Sequence, residues 1–372
     1  MRARTARLAY LPACVAMLVA LAMSTSGVAA ATPHWTLVNA PNVGGADVVE
    51  GMSCPIATFC MASGDSGAEL WNGSSWSVVP TPPTNSALVG ISCTSQTFCM
   101  SVGSVSSGTG WQTLTERWNG KEWTILPSQD PGVKVNRLAG VSCVSTAFCM
   151  AVGWYNDASD RHTLIEEWNG SAWALVGSPN IRTKDALHGV SCVSTAFCAA
   201  VGDYHRGGGY DTLTELWNGK TWSLVSSPNT SGSNNSQLEA TSCTSSSFCA
   251  AVGFYNIAGD HTLTELWNGA TWTISNSPSP MSSDTLVGVS CTGATSMCMT
   301  VGSYTPPSPG YGSQTLIESW NGTAWSVAKS PNSSATEDFL NAISCANGAF
   351  CMAGGQSFPA SAGETLIEKY SG

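Results

Sequence analysis

The stretch that decides the fold runs from Leu138 to Asn180. It reads Leu138-Ala-Gly-Val-Ser-Cys143, then Phe148-Cys-Met-Ala-Val-Gly153, then Thr163-Leu-Ile-Glu-Glu-Trp-Asn-Gly170, then Trp173-Ala-Leu-Val176 and Ser178-Pro-Asn180. It holds four short β-prone runs, each bounded by turn residues, with no helical periodicity, and so predicts one four-stranded antiparallel sheet. The stretch recurs along the chain, and its cysteines mark the register: Cys54/Cys60, Cys93/Cys99, Cys143/Cys149, Cys192/Cys198, Cys243/Cys249, Cys291/Cys298 and Cys345/Cys351. The first cysteines are 39, 50, 49, 51, 48 and 54 residues apart. Four strands in a period of roughly 40–50 residues is the arithmetic of a β-propeller blade. The fold predicted is all-β, a seven-bladed β-propeller.

The chain ends support closure of that ring. The last unit, Glu364-Thr-Leu-Ile-Glu-Lys-Tyr-Ser-Gly372, stops where its fourth strand should begin, and His34-Trp-Thr-Leu-Val-Asn-Ala-Pro-Asn42 aligns with the Trp173 to Asn180 segment. The N-terminal strand is therefore expected to complete the last blade, which removes exposed sheet edges.

Upstream, Arg2, Arg4 and Arg7 precede an apolar run from Leu8 to Met23, and Val28-Ala29-Ala30 satisfies the small-x-small rule. Residues 1–31 read as a secretory signal peptide, cut after Ala30 or Ala31, with residues 32–372 as one propeller domain. The expected location is secreted, extracellular. No later run is apolar and long enough to span a bilayer.

Of the 372 residues 43% are hydrophobic and only 10% charged, with a net charge of −10. Removing the three leader arginines from the 14 Lys+Arg leaves 11 against 24 Asp+Glu, or −13. Nucleic-acid binding needs clustered cations and is excluded. Each cysteine pair would close a loop of about seven residues, a crosslink of roughly 2–2.5 kcal/mol on chain-entropy grounds. Metal binding would need four converging soft ligands, which pairs on separate blades do not offer. Neither a metal nor a cofactor is expected.

Tryptophans pair in register (Trp71/Trp76, Trp118/Trp123, Trp168/Trp173, Trp217/Trp222, Trp267/Trp272, Trp320/Trp325), and Tyr370 pairs with Trp35. Glu69, Glu116, Glu166, Glu215, Glu265, Glu318 and Glu368 share one position, as do the serines that precede each first cysteine. Positions repeated in every blade read as scaffold. The tryptophans are expected to pack between blades, and the glutamates to form a buried hydrogen-bond node fed by hydroxyl, amide or indole donors.

Strands ending in Val-Gly, then Glu-x-Trp-Asn-Gly-x-x-Trp and a downstream Ser-Pro, resemble a kelch-type repeat over about residues 32–372. They also resemble secreted bacterial seven-bladed propeller repeats. The chain departs from kelch in carrying a single Gly at most blades (Gly103, Gly153, Gly202, Gly253, Gly302), with the doublet only at Gly354-Gly355. It also carries Trp where kelch has Tyr, and it adds the cysteine pairs. The Gly-His and Trp-Asp of WD40 repeats are missing, and Asn-Gly-x-x-Trp is one residue short of an Asp-box. The resemblance implies a fold and leaves function to the site.

Chain direction sorts the connections. Those between strands two and three, and between blades, vary and share one face, where binding is usually placed. That face collects the unrepeated Trp111 and Trp154, with Tyr155, Tyr204 and Tyr210, and four of the five arginines after the leader, Arg137, Arg161, Arg182 and Arg206. These nine residues are the candidate ligand-binding set. An exported binding scaffold for a carbohydrate or cell-surface polymer is the leading expectation, acting as a monomer. Two alternatives stand beside it. One is a secreted propeller glycoside hydrolase or lyase, with Asp157, Asp160, Asp203 and Asp211 as its only local acids. The other is a protein-interaction module.

Overall fold

The computed structural model describes Met1 and residues 33–42, 48–65, 67–82, 86–181, 183–293, 297–307, 312–333, 337–359 and 363–372. The leader, residues 1–31, lies outside the described residues apart from Met1, as does Arg182. Within Pro33–Gly372 the fold is propeller-like and all-β, with 28 strands and no helix among the described residues.

Strand β1 is His34–Leu37. The first unit is β2–β5 (Val49–Ile56, Phe59–Gly64, Gly67–Trp71, Trp76–Val79) and the second β6–β9 (Ser86–Ser95, Phe98–Ser106, Trp111–Trp118, Trp123–Leu126). The third is β10–β13 (Val135–Ser145, Phe148–Asn156, Arg161–Trp168, Trp173–Leu175) and the fourth β14–β17 (Ala186–Ser194, Phe197–Arg206, Gly209–Trp217, Trp222–Leu224). The fifth is β18–β21 (Asn235–Ser245, Phe248–Asn256, Asp260–Trp267, Trp272–Ser275) and the sixth β22–β25 (Ser282–Thr292, Met297–Thr305, Gln314–Trp320, Trp325–Ala328). The seventh is β26–β28 (Glu337–Asn347, Phe350–Phe358, Glu364–Ser371), and β1 is its fourth strand, with Trp35 opposite Tyr370. Within each unit the strands pair antiparallel in sequence order.

Cysteine partners face each other across the first hairpin, as Cys143 does Cys149, and every pair lies at disulfide-bonding distance: Cys54–Cys60, Cys93–Cys99, Cys143–Cys149, Cys192–Cys198, Cys243–Cys249, Cys291–Cys298 and Cys345–Cys351. The second cysteine of each pair, namely Cys60, Cys99, Cys149, Cys198, Cys249, Cys298 and Cys351, is 0% exposed. Each of these belongs to a different seam core, Cys198 beside Val152 and Leu213, for example, and Cys60 beside Trp71 and Met352. The reason is register: the second cysteine heads the second strand, both faces of which are covered, and its sulfur packs there as a small apolar group. These seven cysteines are thus core as well as crosslink, and they offer no surface to a ligand.

The repeated glycine follows from backbone crowding. The first strand bulges after Leu138, and a Cβ on Gly153 would overlap the carbonyl oxygen of Arg137. Glycine leaves room for that approach.

The serine before each first cysteine links consecutive units. Its Oγ accepts the amide of the next unit's cysteine: Ser53 from Cys93, Ser92 from Cys143, Ser142 from Cys192, Ser191 from Cys243, Ser242 from Cys291 and Ser290 from Cys345. Ser344 in the seventh unit accepts from Cys54 in the first, at 2.9 Å.

The core lies between units. Phe98, Met100 and Val102 of the second pack on Leu138, Leu164, Trp168 and Trp173 of the third. The tryptophan pairs sit opposite each other in β-pairs with centroids 5.4–5.9 Å apart, and are buried. They are walls of the seams.

Five of the seven glutamates form the expected node, each with a serine of the connection that leaves the preceding unit as its donor. Ser128 donates to Glu166, Ser178 to Glu215, Ser227 to Glu265, Ser277 to Glu318 and Ser330 to Glu368, each at 2.7–2.9 Å. Two positions further on, Asn180 accepts both the amide and the hydroxyl of Thr163, which ties the connection to its own sheet. Burial pushes Glu116, Glu166 and Glu318 up to about 7, and Glu215, Glu265 and Glu368 up to about 8.

Candidate functional site

Much of what the sequence presents as variable loop is strand. Trp154 pairs with Thr163, Tyr155 with His162 and Asn156 with Arg161, so the β11–β12 connection shrinks to Asp157–Asp160. Tyr204 pairs with Asp211, His205 with Tyr210 and Arg206 with Gly209, leaving only Gly207 and Gly208 between strands, both with positive φ. Trp111 begins β8, and Arg137 lies within β10. The expectation of loop-borne residues is therefore corrected: Trp111, Arg137, Trp154, Tyr155, Arg161, Tyr204, Arg206 and Tyr210 stand on hairpin ends with backbone partners in place. A rigid strand end holds a side chain more precisely than a loop does.

The third and fourth units build a polar cluster around Asp203. Asp203 is 3% exposed, with His188 Nε2 at 2.7 Å from Oδ1 and the Arg161 guanidinium at 3.5 Å from Oδ2. Arg161 also donates to the Lys184 carbonyl at 2.7 Å. The His188 ring meets the Trp154 indole edge-on at 5.8 Å, and the Arg161 guanidinium lies 6.0 Å from the same indole. Burial alone would lower the His188 pKa. The hydrogen bond that His188 donates to Asp203 and the charges of Glu239 and Asp203 outweigh it and raise the pKa.

Beside this cluster, the Arg137 guanidinium sits 4.5 Å from the Trp111 ring centre. Arg137 and Trp154 are opposite each other in the β10–β11 pair, so the two indole–guanidinium contacts adjoin. A depression of about 370 Å³ opens next to them, lined by Asn156, Asp157, Asp160, Arg161, Lys184 and Tyr210.

The remaining acids are engaged. Asp157 accepts the amides of Ser159 and Asp160 and the Ser159 hydroxyl, which hold its carboxyl well below the usual range, and it lies 2.8 Å from His162. Asp211 takes Arg206 Nε at 2.6 Å and the Tyr204 hydroxyl at 3.3 Å. A glycosidase acid needs a raised pKa; Asp157 is pushed the opposite way, and Asp203 and Asp211 are each bound to an arginine. Among the described residues no group of three or more His, Cys, Asp or Glu is placed to hold a metal.

Two of the candidate tyrosines prove to be repeat positions. Tyr155, Tyr204, Tyr255 and Tyr304 all sit two residues after the glycine and pack against seam cores. Tyr155 and Tyr255 each meet the ring of a histidine, His162 and His261, at 5.3 Å. Asp203 and His188, by contrast, gain a central place that the candidate set had not given them. The signal for Asp203 was an acid at a position where four units carry Ser104, Trp154, Phe254 and Ser303 and the seventh Gln356, although the first carries Asp65 there as well.

No protein-family model matches the chain, and no curated protein matches it. Solved structures match in fold. One described as "YCF48 bound to D1 peptide" is 12% identical over 91% of this chain and 95% of that chain, with a TM-score of 0.57. The WD40 beta propeller domain of Doa1 is 10% identical over 91% of this chain and 97% of that chain, with a TM-score of 0.60. At such identities the likeness is one of fold: the chain has the architecture of β-propellers.

Proposed function

We propose that the chain is an exported, closed seven-bladed propeller serving as an interaction scaffold, which engages an extended, carboxylate-bearing peptide of a protein partner on the face formed by the hairpin ends. Closure is supported by the β1–β28 pairing and by the serine–cysteine hydrogen bonds that return from Ser344 to Cys54. Export is supported by the leader-like residues 1–31 and by seven cysteine pairs, since disulfides persist in oxidising compartments.

The observation that carries the binding face is the pair of adjoining indole–guanidinium contacts on unrepeated residues, Trp111–Arg137 and Trp154–Arg161. Arg161 and Arg206 already have carboxylates, whereas Arg137 makes no ion pair with a described residue. A guanidinium held on an indole, with its edge unpaired, is a preformed carboxylate receptor. The neighbour described as bound to D1 peptide supports a peptide as the class of ligand.

A second reading, a glycan or cell-surface polymer as ligand, is favoured by the two unrepeated indoles themselves, since sugars stack on such rings. One experiment separates the two: the purified protein is screened, under non-reducing conditions, against an acidic peptide library and a glycan array. Saturable peptide binding that falls at least about tenfold in Arg137→Gln supports the first reading. Binding to one sugar class, lost in Trp111→Ala, supports the second. Binding unaffected by either substitution removes this face from consideration.

A further inference from the structure

The repeat supplies internal controls for finding a built cavity. The residue before the third-strand aromatic is Leu70, Leu216 and Leu266 in three units, where it fills the seam with the next unit, and the long charged Arg117, Glu167 and Lys369 in three others. Three residues after the fourth-strand tryptophan, Val79, Leu126, Val176 and Val225 fill the same seams from the adjacent strand of the same unit. In the sixth unit these two positions hold Ser319 and Ala328, both small. The fifth unit has Ser275 at the second position but keeps Leu266 at the first.

The double truncation coincides with a cavity of about 610 Å³ between the sixth unit and the completed seventh. Its lining includes Trp35, Tyr370, Met299, Ser319, Ala328 and Lys329. Trp35 and Tyr370 present rings 5.5 Å apart, and Met299 adds a thioether. The Trp35 Nε1 is buried with no acceptor among the described residues, a feature it shares with Trp76, Trp123, Trp173, Trp222, Trp272 and Trp325, so it does not set this seam apart. Lys329 is the one cation at its repeat position, where other units carry Asn39, Pro80, Pro127, Gly177, Ser226 and Asn276. It is exposed and makes no ion pair or hydrogen bond with a described residue.

We propose that this seam cavity is a binding site for a small aromatic carboxylate. Its volume falls within the range of small-molecule sites, which are mostly apolar with a few placed polar groups. The ligand ring packs on Trp35, Tyr370 and Met299. Its carboxylate reaches the Lys329 ammonium, and the Ser319 hydroxyl is a further donor in the wall. The site lies on a different seam from the hairpin-end face and does not depend on it.

The test is equilibrium dialysis of 2-naphthoate against the purified folded protein. The expected result is saturable binding of one molecule per chain. Ser319→Leu, which restores the residue of Leu216 and Leu266 and so suits the fold, should weaken it at least about tenfold. Ala328→Val, restoring the residue of Val176, should weaken it in the same direction. Lys329→Gln should weaken 2-naphthoate but leave the neutral 2-naphthalenemethanol unchanged. Absence of saturable binding up to about 1 mM overturns the proposal. So does binding indifferent to both cavity-filling substitutions, or loss of both ligands equally in Lys329→Gln.

Discussion

Five seams of this molecule carry the serine–glutamate contact, and the two that flank the first unit do not. Between the second and third units Ser128 donates to both oxygens of Glu166, and the fourth to seventh units repeat the arrangement at their leading edges. Before the first unit, Ala40 occupies the serine's place. Glu69 there accepts the Thr365 hydroxyl at 3.5 Å and is 8% exposed, against 0% for the other six glutamates. Before the second unit the residue is Thr81, and both oxygens of Glu116 are buried with no partner among the described residues. Yet burial pushes Glu116 up to about 7, as it does Glu166 with its serine. Burial therefore sets the shift, and the hydroxyl offsets part of its cost. A buried carboxyl left without a donor bears the desolvation penalty in full.

The largest expected effect acts on all the buried glutamates together. Their folded values lie at about 7 to 8, above the ordinary 4.5 of a glutamate. Between those limits the native chain holds more protons than the unfolded chain, so stability falls as pH rises. The contribution is fully present below about pH 4.5 and is lost as pH climbs through 7 to 8. Thermal melts should show a lower Tm at about pH 8.5 than at about pH 5, by several kcal/mol in the underlying stability. A Tm that rises over that interval would contradict the burial argument. Glu116→Gln should flatten the slope by one group's share.

A smaller effect tests one seam. Ser178→Ala leaves Glu215 as Glu116 is in the wild type, and should cost about 1–3 kcal/mol by denaturant unfolding at neutral pH. Equal stability would mean that the hydroxyl contributes nothing. The smallest effect runs in the opposite direction. The β-branched Thr81 is stiff at χ1, and its hydroxyl lies beside Gly67 in its own unit. Thr81→Ser frees the rotamer to reach Glu116 and should stabilise by about 1 kcal/mol. If it gives no gain while Ser178→Ala does destabilise, the two seams differ in backbone geometry as well as in side chain.

What could be read from the chain and what could not divide along sequence distance. Four-strand periodicity, cysteine pairing, tryptophan pairing and the fit of Trp35 to Tyr370 are local patterns or repeats of them, and they were legible because each repeat restates the same short-range physics. That the second cysteine of each pair would lie wholly inside a seam was not legible, because the cover comes from the neighbouring unit. The glutamate node was legible as a buried, hydrogen-bonded set. Its donor was not: Ser178 and Glu215 are 37 residues apart and meet only because consecutive sheets face each other. Extension of β11 and β15 into the variable segments was hidden too, since cross-strand partners such as Tyr155 and His162 are chosen by register. That register converted loop candidates into strand ends and drew Tyr155 and Tyr204 into the scaffold.

The repeat by itself thus determined the unit, its turns and its buried aromatic pairs, because these need only residues close in the chain. The place of Asp203 between His188 and Arg161, the unpaired carboxylate of Glu116 and the hollow beside Ser319 were decided by tertiary structure. Each depends on which side chain the neighbouring unit brings to a shared seam, and no single repeat contains both sides of one.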